Sequence, residues 1–222
     1  MYLTIFIVVM VLSLIVQSTL QSRFNKYSQV PTANGKTGAE VAMQMLKDHG
    51  INDVKVVPTN GTLTDHYNPT TKTIALSEGV YSSNSVAAAA IAAHECGHAV
   101  QHAYAYGPLQ MRSALVPVVN IASNTVQWVI LAGLIFSKMF PNLIWIGIGL
   151  FALTTLFSFI TLPVEINASR RAITWLGNAG ITNYGTHSMA IDALKWAAYT
   201  YVIAAVGSLA TLLYYIGLAQ RR

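Results

Sequence analysis

Four long apolar stretches dominate the sequence, at approximately residues 1–20, 115–137, 142–163 and 197–218. A helix needs about 20 apolar residues to cross a hydrocarbon core about 30 Å thick, so the pattern predicts four transmembrane helices. The first stretch has neither a basic start nor a small-residue cleavage site. This favours an uncleaved membrane anchor over a signal peptide.

The second and third stretches are separated only by a short link from Phe140 to Asn142, which predicts an antiparallel transmembrane hairpin. The second stretch also contains polar residues that recur at helical spacing. These residues are Pro117, Asn120, Ser123, Asn124 and Gln127. Because polar side chains within a membrane usually turn towards other protein, this stripe is predicted to face protein and not lipid.

The part between the first and second stretches has the pattern of a water-facing fold. Thr37 suits the N-cap of a helix that reaches about His49, where Gly50 ends it. Alternating and turn-rich segments follow, and then an Ala-rich helical segment. The predicted elements are a strand at 53–58, a β-hairpin from 61–67 and 73–81 around a turn at 68–72, and a helix at 85–106.

The composition also places the chain in lipid. Of its 222 residues, 54% are hydrophobic and 9% are charged, whereas about a quarter of residues are charged in soluble proteins. Six of the eight acidic residues lie between residues 22 and 114, which supports a water-facing domain there. The formal net charge is +5, but the basic residues flank apolar stretches, so nucleic acid binding is not predicted. Cys96 is the single cysteine, so no internal disulfide can form.

His94, Glu95 and His98 form the motif H-E-C-G-H in the Ala-rich helix. A spacing of four places both imidazoles on one helix face, where both can bind one zinc ion. Glu95 would then project towards the open coordination position and act as the general base on zinc-bound water. A bare five-residue motif is weak evidence, but the preceding hairpin supplies a strand edge for an extended substrate. Cys96 points away from the ligands by helical phase and is predicted to be a packed side chain.

A catalytic zinc ion usually has a third protein ligand. His102 continues the series, but in an intact helix its Cα lies roughly 12 Å along the axis from that of His94, too far to share one ion comfortably. Glu165 is the better candidate because it follows Pro163 at the end of the third apolar stretch. Two intervening spans return Glu165 to the side of the membrane that carries the histidines. The sequence therefore predicts a Zn²⁺ site made by His94, His98 and Glu165.

Five segments carry a family resemblance and together cover nearly the whole chain: LTDHYNP, LSEGVY, AAHECGHAVQH, PVEINASRRA and AAYTYVIAAV. As a set they resemble the neutral zinc metallopeptidases of bacterial membranes. This implies a membrane zinc peptidase with His94 and His98 as ligands and Glu95 as the catalytic acidic residue. The layout is also similar to the membrane heat-shock metalloproteases of the gluzincin group, whose third ligand opens an E-x-x-A-D motif. Here the segment from Glu165 reads EINAS, so Ser169 stands in place of the Asp.

The departure at Ser169 leaves open which group orients a ligand histidine. Asn167, Ser169 and a backbone carbonyl remain alternatives. The donor that stabilises the oxyanion is also open, and its candidates are His66, Tyr67, Tyr106, Arg170, Arg171 and His187. The alternative role for Glu165 is a juxtamembrane acid paired with Arg170 or Arg171, although a shared zinc ion explains its position better.

The predicted fold class is a mainly α-helical membrane protein with four transmembrane helices and a small α+β, zincin-like domain. Its predicted parts are transmembrane helix 1 at 1–21, a water-facing metallopeptidase domain at 22–114, a transmembrane hairpin at 115–163, a third-ligand helical segment at 164–196, and transmembrane helix 4 with the C-terminal tail at 197–222.

The predicted function is zinc-dependent hydrolysis of peptide bonds in membrane or membrane-proximal proteins. The predicted partners are a protein or peptide substrate and the lipid bilayer; the oligomeric state and protein partners stay open. A site-2-type intramembrane protease is one alternative, but that type takes its third ligand from an L-D-G motif, which is absent around Asp192 in IDALK. A non-catalytic assembly protein is a second alternative, although a structural zinc ion needs no general base. A zinc transporter is disfavoured because no span interior carries paired His and Asp residues.

Basic residues near the span ends predict the orientation in a bacterial cell membrane. Those on the side of the zinc motif are Arg23, Lys26, Arg112, Arg170, Arg171 and Lys195. Those on the other side are Lys138, Arg221 and Arg222. Six against three favours a cytoplasmic active site with both termini outside, although the two terminal arginines fit that placement poorly.

Overall fold

The computed structural model describes residues 2–136 and 138–220. In chain order the elements are α1 (Tyr2–Tyr27), α2 (Gly38–Asp48), β1 (Lys55–Thr59), β2 (His66–Asn68), β3 (Thr73–Ser77), α3 (Glu78–Tyr81), α4 (Val86–Ala103), α5 (Gly107–Ile135), α6 (Leu143–Asn178) and α7 (Tyr184–Gln220). The fold is mainly helical with a small sheet, as the sequence predicts.

Four helices in the described residues are long and apolar enough to cross a membrane: Leu3–Tyr27, Gly107–Ile135, Leu143–Asn178 and Tyr184–Gln220. The predicted fold class is therefore confirmed. α5 packs along α6, α6 along α7, and α7 along α1. Since short connections join α5 to α6 and α6 to α7, these helices alternate in direction. One end of the bundle thus gathers the C-terminal ends of α1 and α6 and the N-terminal ends of α5 and α7.

All four of the predicted boundaries fall inside continuous helices, and the last two bear on the site. α6 runs through Pro163 and carries both the third apolar stretch and Glu165. α7 likewise continues through the boundary between residues 196 and 197. A proline removes one helical hydrogen bond, but packed transmembrane helices tolerate this loss. Glu165 is therefore held by the same helix that forms the third span.

The polar stripe of α5 is not turned towards protein as predicted. Its members Pro117, Asn120, Ser123, Asn124 and Gln127 lie exposed on the surface of the described chain. The helix instead buries Val119, Ala122 and Ile130, and Ile130 contacts Gly147 of α6. Small and aliphatic residues allow the two helices of the hairpin to approach closely, and this packing sets the rotation of α5 and leaves the stripe outside.

The three-stranded sheet lies in the water-facing part and has the order β1-β3-β2. β2 and β3 form the predicted antiparallel hairpin, and β1 pairs in parallel with β3. The hairpin is shorter than predicted because the Asp65 side chain accepts a hydrogen bond from the backbone N–H of Ser77 at 2.7 Å. Residues 78–81, predicted as strand, then form the short helix α3. β2 is an edge strand.

The two helices of this part begin and end at recognisable residues. α2 starts after the N-cap Thr37, and Gly50 beyond its end has a φ of +69°, as the sequence predicts. α4 starts after Ser85, whose hydroxyl caps the first turn. It ends at Ala103, before the predicted residue 106, because Ala105 has a φ of 51° and turns the chain into α5. The Ala-rich first half of α4 is buried in the core, so the zinc motif lies on a central helix.

Candidate metal centre

Three side chains from two helices converge where the water-facing part meets the membrane-spanning helices. His94 and His98 of α4 and Glu165 of α6 offer ligand atoms that lie within 4.8 Å of one another. Glu165 Oε2 is 3.3 Å from His94 Nε2 and 3.4 Å from His98 Nε2. Two ligands at about 2.1 Å from a tetrahedral zinc ion lie about 3.4 Å apart. The spacing of this triad therefore fits zinc.

The surroundings of Glu165 also favour a cation. Its side chain is 3% exposed, and Oε2 accepts no hydrogen bond from the residues that the structure describes. A buried carboxylate oxygen without a partner is costly, and a metal ion between it and two imidazoles would satisfy it. Burial by itself lowers the pKa of His98, but Glu165 more than offsets this, so the pKa of His98 lies above its ordinary value.

Both histidines are oriented through their second ring nitrogen. Ser169 Oγ lies 3.1 Å from His94 Nδ1, and Gln101 Oε1 lies 3.1 Å from His98 Nδ1. The amide oxygen of Gln101 can only accept, so His98 carries its proton on Nδ1 and donates it. In the neutral imidazole Nε2 is then left unprotonated and faces Glu165, which is the arrangement a metal-binding histidine requires.

Gln101 is itself fixed by α6. It is fully buried, and its Nε2 donates to the Val164 carbonyl at 2.7 Å and to Asn167 Oδ1 at 3.0 Å. Of the alternatives that the sequence left open, Ser169 contacts a ligand histidine directly and Asn167 acts through Gln101. The sequence analysis missed Gln101, although it lies three residues after His98 on the same face of α4.

Gly97 allows α4 and α6 to approach closely enough to assemble the triad. A Cβ atom added at this position would lie 2.6 Å from the Ala168 carbonyl oxygen and 3.0 Å from the Ala168 Cα. Both are backbone atoms, so α6 itself would have to move. The glycine of H-E-C-G-H therefore has a packing role that brings Glu165 to the histidines.

Gly97→Ala is expected to lower both the midpoint of thermal unfolding and the zinc content. Overpacking of this kind costs about 1–3 kcal/mol, which exceeds the gain of about 1 kcal/mol from replacing glycine by alanine in a helix. Thermal unfolding in detergent and metal analysis give the measurement. Gly149→Ala is the matched control, because a Cβ added to this other helical glycine meets nothing within 4 Å. Equal losses in both variants would contradict the role given to Gly97.

Glu95 lies where two clefts meet. It is 8% exposed and lines both clefts together with Asp65, His94, Glu165 and Tyr201. The first, called the apolar pocket, has a volume of about 160 Å³ and includes Leu20, Phe24, Ile91, Ala193, Leu194 and Ala197. The second, called the polar cleft, has a volume of about 440 Å³ and includes His66, Tyr67, Pro69, Leu109, Arg112 and Ser113.

The polar cleft contains several side chains able to donate a hydrogen bond to a developing oxyanion. His66 and Tyr67 are two of the sequence candidates, whereas Arg112 and Tyr201 were missed. Arg112 Nη1 lies 3.9 Å from Glu165 Oε1, and Tyr201 also interacts with that carboxylate. A basic residue near a span end indicates topology, and a tyrosine in a span is typical of a membrane interface. Neither residue could therefore be recognised as an oxyanion donor from the sequence.

The remaining oxyanion candidates line neither cleft. They are Tyr106, Arg170, Arg171 and His187. Arg171 Nε donates to Asn167 Oδ1 at 2.8 Å, so it supports the residue that holds Gln101. His187 Nδ1 lies 2.9 Å from Thr182 Oγ1 near the start of α7.

His102 and Cys96 are separate from the triad, as helical geometry predicts. His102 is exposed, and its Nδ1 is hydrogen-bonded to the Tyr67 hydroxyl at 2.8 Å. Cys96 is fully buried, and its thiol lies 3.4 Å from the Ala42 carbonyl oxygen. Burial raises the pKa of the Cys96 thiol well above its usual value, and the charge of Glu95 adds to the effect. Cys96 is thus a packed side chain.

Comparison with known proteins shows the family of the chain. A family described as "Putative neutral zinc metallopeptidase" matches residues 2–220. The chain belongs to this family. A relative from Bacillus subtilis (strain 168), "Putative membrane protease YugP", is 43% identical over 205 residues, which cover 92% of this chain and 90% of the relative. No solved structure shows a significant match.

Membership of the family confirms the resemblance carried by the five sequence segments. It supports a zinc-dependent peptidase, and the four apolar helices support a membrane protein. A zinc peptidase requires a zinc site, and His94, His98 and Glu165 form a group with suitable donors and spacing.

Proposed function

We propose that the protein is a membrane-bound zinc metalloprotease in which His94, His98 and Glu165 hold the ion and Glu95 is the general base. The observation that carries this proposal is the convergence of two oriented Nε2 atoms on a buried carboxylate oxygen that accepts no hydrogen bond within the described residues. Glu95 follows His94 directly in α4 and opens onto both clefts beside this group.

When bound, zinc supplies Lewis acidity, which polarises a peptide carbonyl and lowers the pKa of a water molecule. Glu95 removes a proton from the attacking water and later returns it to the leaving amine. Arg112 and Tyr201 line the polar cleft and are placed to donate to the oxyanion. The 8% exposure of Glu95 keeps bulk water away from the carboxylate during these proton transfers.

The substrate is bound in an extended conformation along β2. Among the described residues this strand pairs with β3 alone, so its other edge can offer backbone donors and acceptors to a peptide. His66 and Tyr67 of β2 line the polar cleft, so this strand borders the cleft beside the triad. A peptide that adds to such an edge gains backbone hydrogen bonds, while its side chains enter the neighbouring pockets.

The proposed substrates are membrane or membrane-proximal proteins, because the site is built partly from the spans. Glu165 and Tyr201 lie on helices long and apolar enough to cross the membrane. α4, which carries the zinc motif, is not among the candidate spans of the described residues. This favours a site at the membrane boundary over the site-2-type alternative, whose motif lies within a span.

The test is cleavage of an extended peptide by the purified, zinc-loaded, full-length protein, compared with its Glu95→Gln variant. Cleavage by the first and not by the second supports the proposal. Zinc binding without cleavage by either would favour the alternative of a non-catalytic assembly protein.

We also propose that the active site faces the cytoplasm. The end of the bundle next to the triad carries Arg23, Lys26, Arg112, Arg170, Arg171 and Lys195. Lys138 lies in the link between α5 and α6 at the opposite end, and Arg221 and Arg222 fall outside the described residues. Because basic residues concentrate on the cytoplasmic side of membrane proteins, this distribution favours a cytoplasmic site.

Impermeant thiol reagents applied to intact cells are expected not to label cysteines placed at Lys36 or Lys72 in a Cys96→Ser background. Both positions lie in the water-facing part, and labelling should occur only after the membrane is permeabilised. A cysteine at Lys138 is the matched control and should be labelled from outside. Labelling of positions 36 and 72 in intact cells would place the site on the outer face and reverse this assignment.

A further inference from the structure

The apolar pocket beside the triad points to the class of substrate side chain. Resting on the proposed function, we propose that this pocket is the subsite for a large apolar side chain next to the scissile bond. The protein would then cleave beside residues such as leucine, methionine or phenylalanine, with Ala197 limiting the size of the accepted group.

Apolar side chains of three helices form the wall of the pocket. Leu20 and Phe24 of α1 are four residues apart, and Ala193 and Ala197 of α7 have the same spacing, so each pair shares one helix face. Ile91 of α4 completes the apolar wall one turn before the zinc motif. Leu20, Phe24, Ile91 and Ala197 line the pocket and are all partly exposed.

The size of the pocket suits one large apolar side chain. Its volume is about 160 Å³, and a dry apolar cavity of about 150 Å³ is large enough to accept a benzene molecule. The alanines on α7 provide this space, since any larger residue there would occupy it. Most of the lining residues are apolar, so an apolar side chain loses less hydration on entering the pocket than a charged or amide side chain does.

The pocket is continuous with the proposed catalytic groups. His94, Glu95 and Glu165 form part of its lining. A peptide whose carbonyl lies at the triad must therefore place a neighbouring side chain at the entrance of the pocket. The polar cleft beside β2 would then bind the extended backbone of the peptide.

The wall formed by α1 is fixed in place. The Tyr27 hydroxyl donates to Asp192 Oδ2 at 2.7 Å, and Arg23 Nε lies 3.4 Å from the same oxygen. At the other end, a Cβ added to Gly207 of α7 would lie 2.8 Å from a methyl of Val9, so the two helices are also in close contact there. The pocket is thus preformed, which reduces the entropic cost of binding a side chain.

The experiment compares two quenched fluorescent peptides that differ only in having Leu or Ala beside the cleaved bond. Full-length, zinc-loaded protein is expected to favour the Leu peptide by at least about 10-fold in kcat/KM, since single methylene differences in apolar pockets already give about 10-fold or more. Ala197→Phe fills the pocket and should reduce this ratio to about one. Ala204→Phe, at an exposed position two turns further along the same helix that does not line the pocket, is the matched control and should keep the preference.

Binding gives a second measurement that does not depend on turnover. In the Glu95→Gln background, the Leu peptide should bind more tightly than the Ala peptide, and Ala197→Phe should remove the difference. Unfolding midpoint and zinc content identify a misfolded variant, in which case the smaller change Ala197→Leu replaces it.

The outcomes separate the pocket from the proposed function. Absence of cleavage with a retained, Ala197-dependent binding preference would overturn the protease and keep the pocket as a binding site for a large apolar side chain. Cleavage with a Leu-to-Ala ratio that Ala197→Phe leaves unchanged would overturn the subsite and keep the protease. If Ala197→Phe changed only the dependence of the activity on lipid or detergent, the pocket would be assigned to an acyl chain. This result would also overturn the subsite.

Discussion

Replacement of Glu95 by glutamine is expected to abolish peptide cleavage and to leave the zinc content equal to that of the wild type. Glutamine has nearly the same shape but cannot accept a proton from water, and a positioned general base contributes about 10²-fold to 10⁴-fold to the rate. His94, His98 and Glu165 remain as ligands in this variant. The measurements are kcat/KM on a peptide substrate and metal analysis of the same preparation.

Glu78→Gln is the matched control for this prediction. Glu78 undergoes the same chemical change, but it is exposed in α3 and lines neither cleft. Its carboxylate accepts a hydrogen bond from the Ser82 hydroxyl. It should retain wild-type activity. A Glu95→Gln protein with near-wild-type activity would refute the proposed mechanism, whereas a loss of zinc in that variant would assign Glu95 to the ligands.

Local sequence signals predicted the elements that depend on local chemistry. The capped helix α2, the four long helices and the β2–β3 hairpin are confirmed, because capping residues, long apolar stretches and turn-rich links act over a few residues. The errors arose where a distant contact decides the structure. The side chain of Asp65 ends the hairpin at Ser77, and the packing of Ile130 against Gly147 turns the polar stripe of α5 outwards.

The same distinction between local signals and distant contacts applies to the candidate site. Helical periodicity places His94 and His98 on one face of α4, and the order of the spans brings Glu165 to the same side. The distances that join them depend on the close approach of α6 to Gly97, which no local pattern encodes. Arg112, Tyr201 and the apolar pocket come from α1, α5 and α7, and only the assembled bundle brings them to the triad.

Glu165→Ala is expected to weaken zinc binding strongly, and His102→Ala is expected to leave it unchanged. Loss of outer partners of a metal ligand typically weakens binding about 10-fold to 100-fold, so loss of a ligand itself should exceed that range. His102 is the matched control because it is a histidine of the same helix whose contact is Tyr67, outside the triad. Competition with a chelating dye gives the two dissociation constants.

Glu165→Gln separates the metal role from a structural one. It keeps the volume of this buried side chain but removes its charge, so zinc binding should fall while the midpoint of unfolding of the zinc-free protein changes little. If Glu165 were instead a juxtamembrane acid, as the sequence alternative holds, Glu165→Gln would leave the zinc affinity intact. Normal affinity in both Glu165 variants together with reduced affinity in His102→Ala would show that His102 is the third ligand.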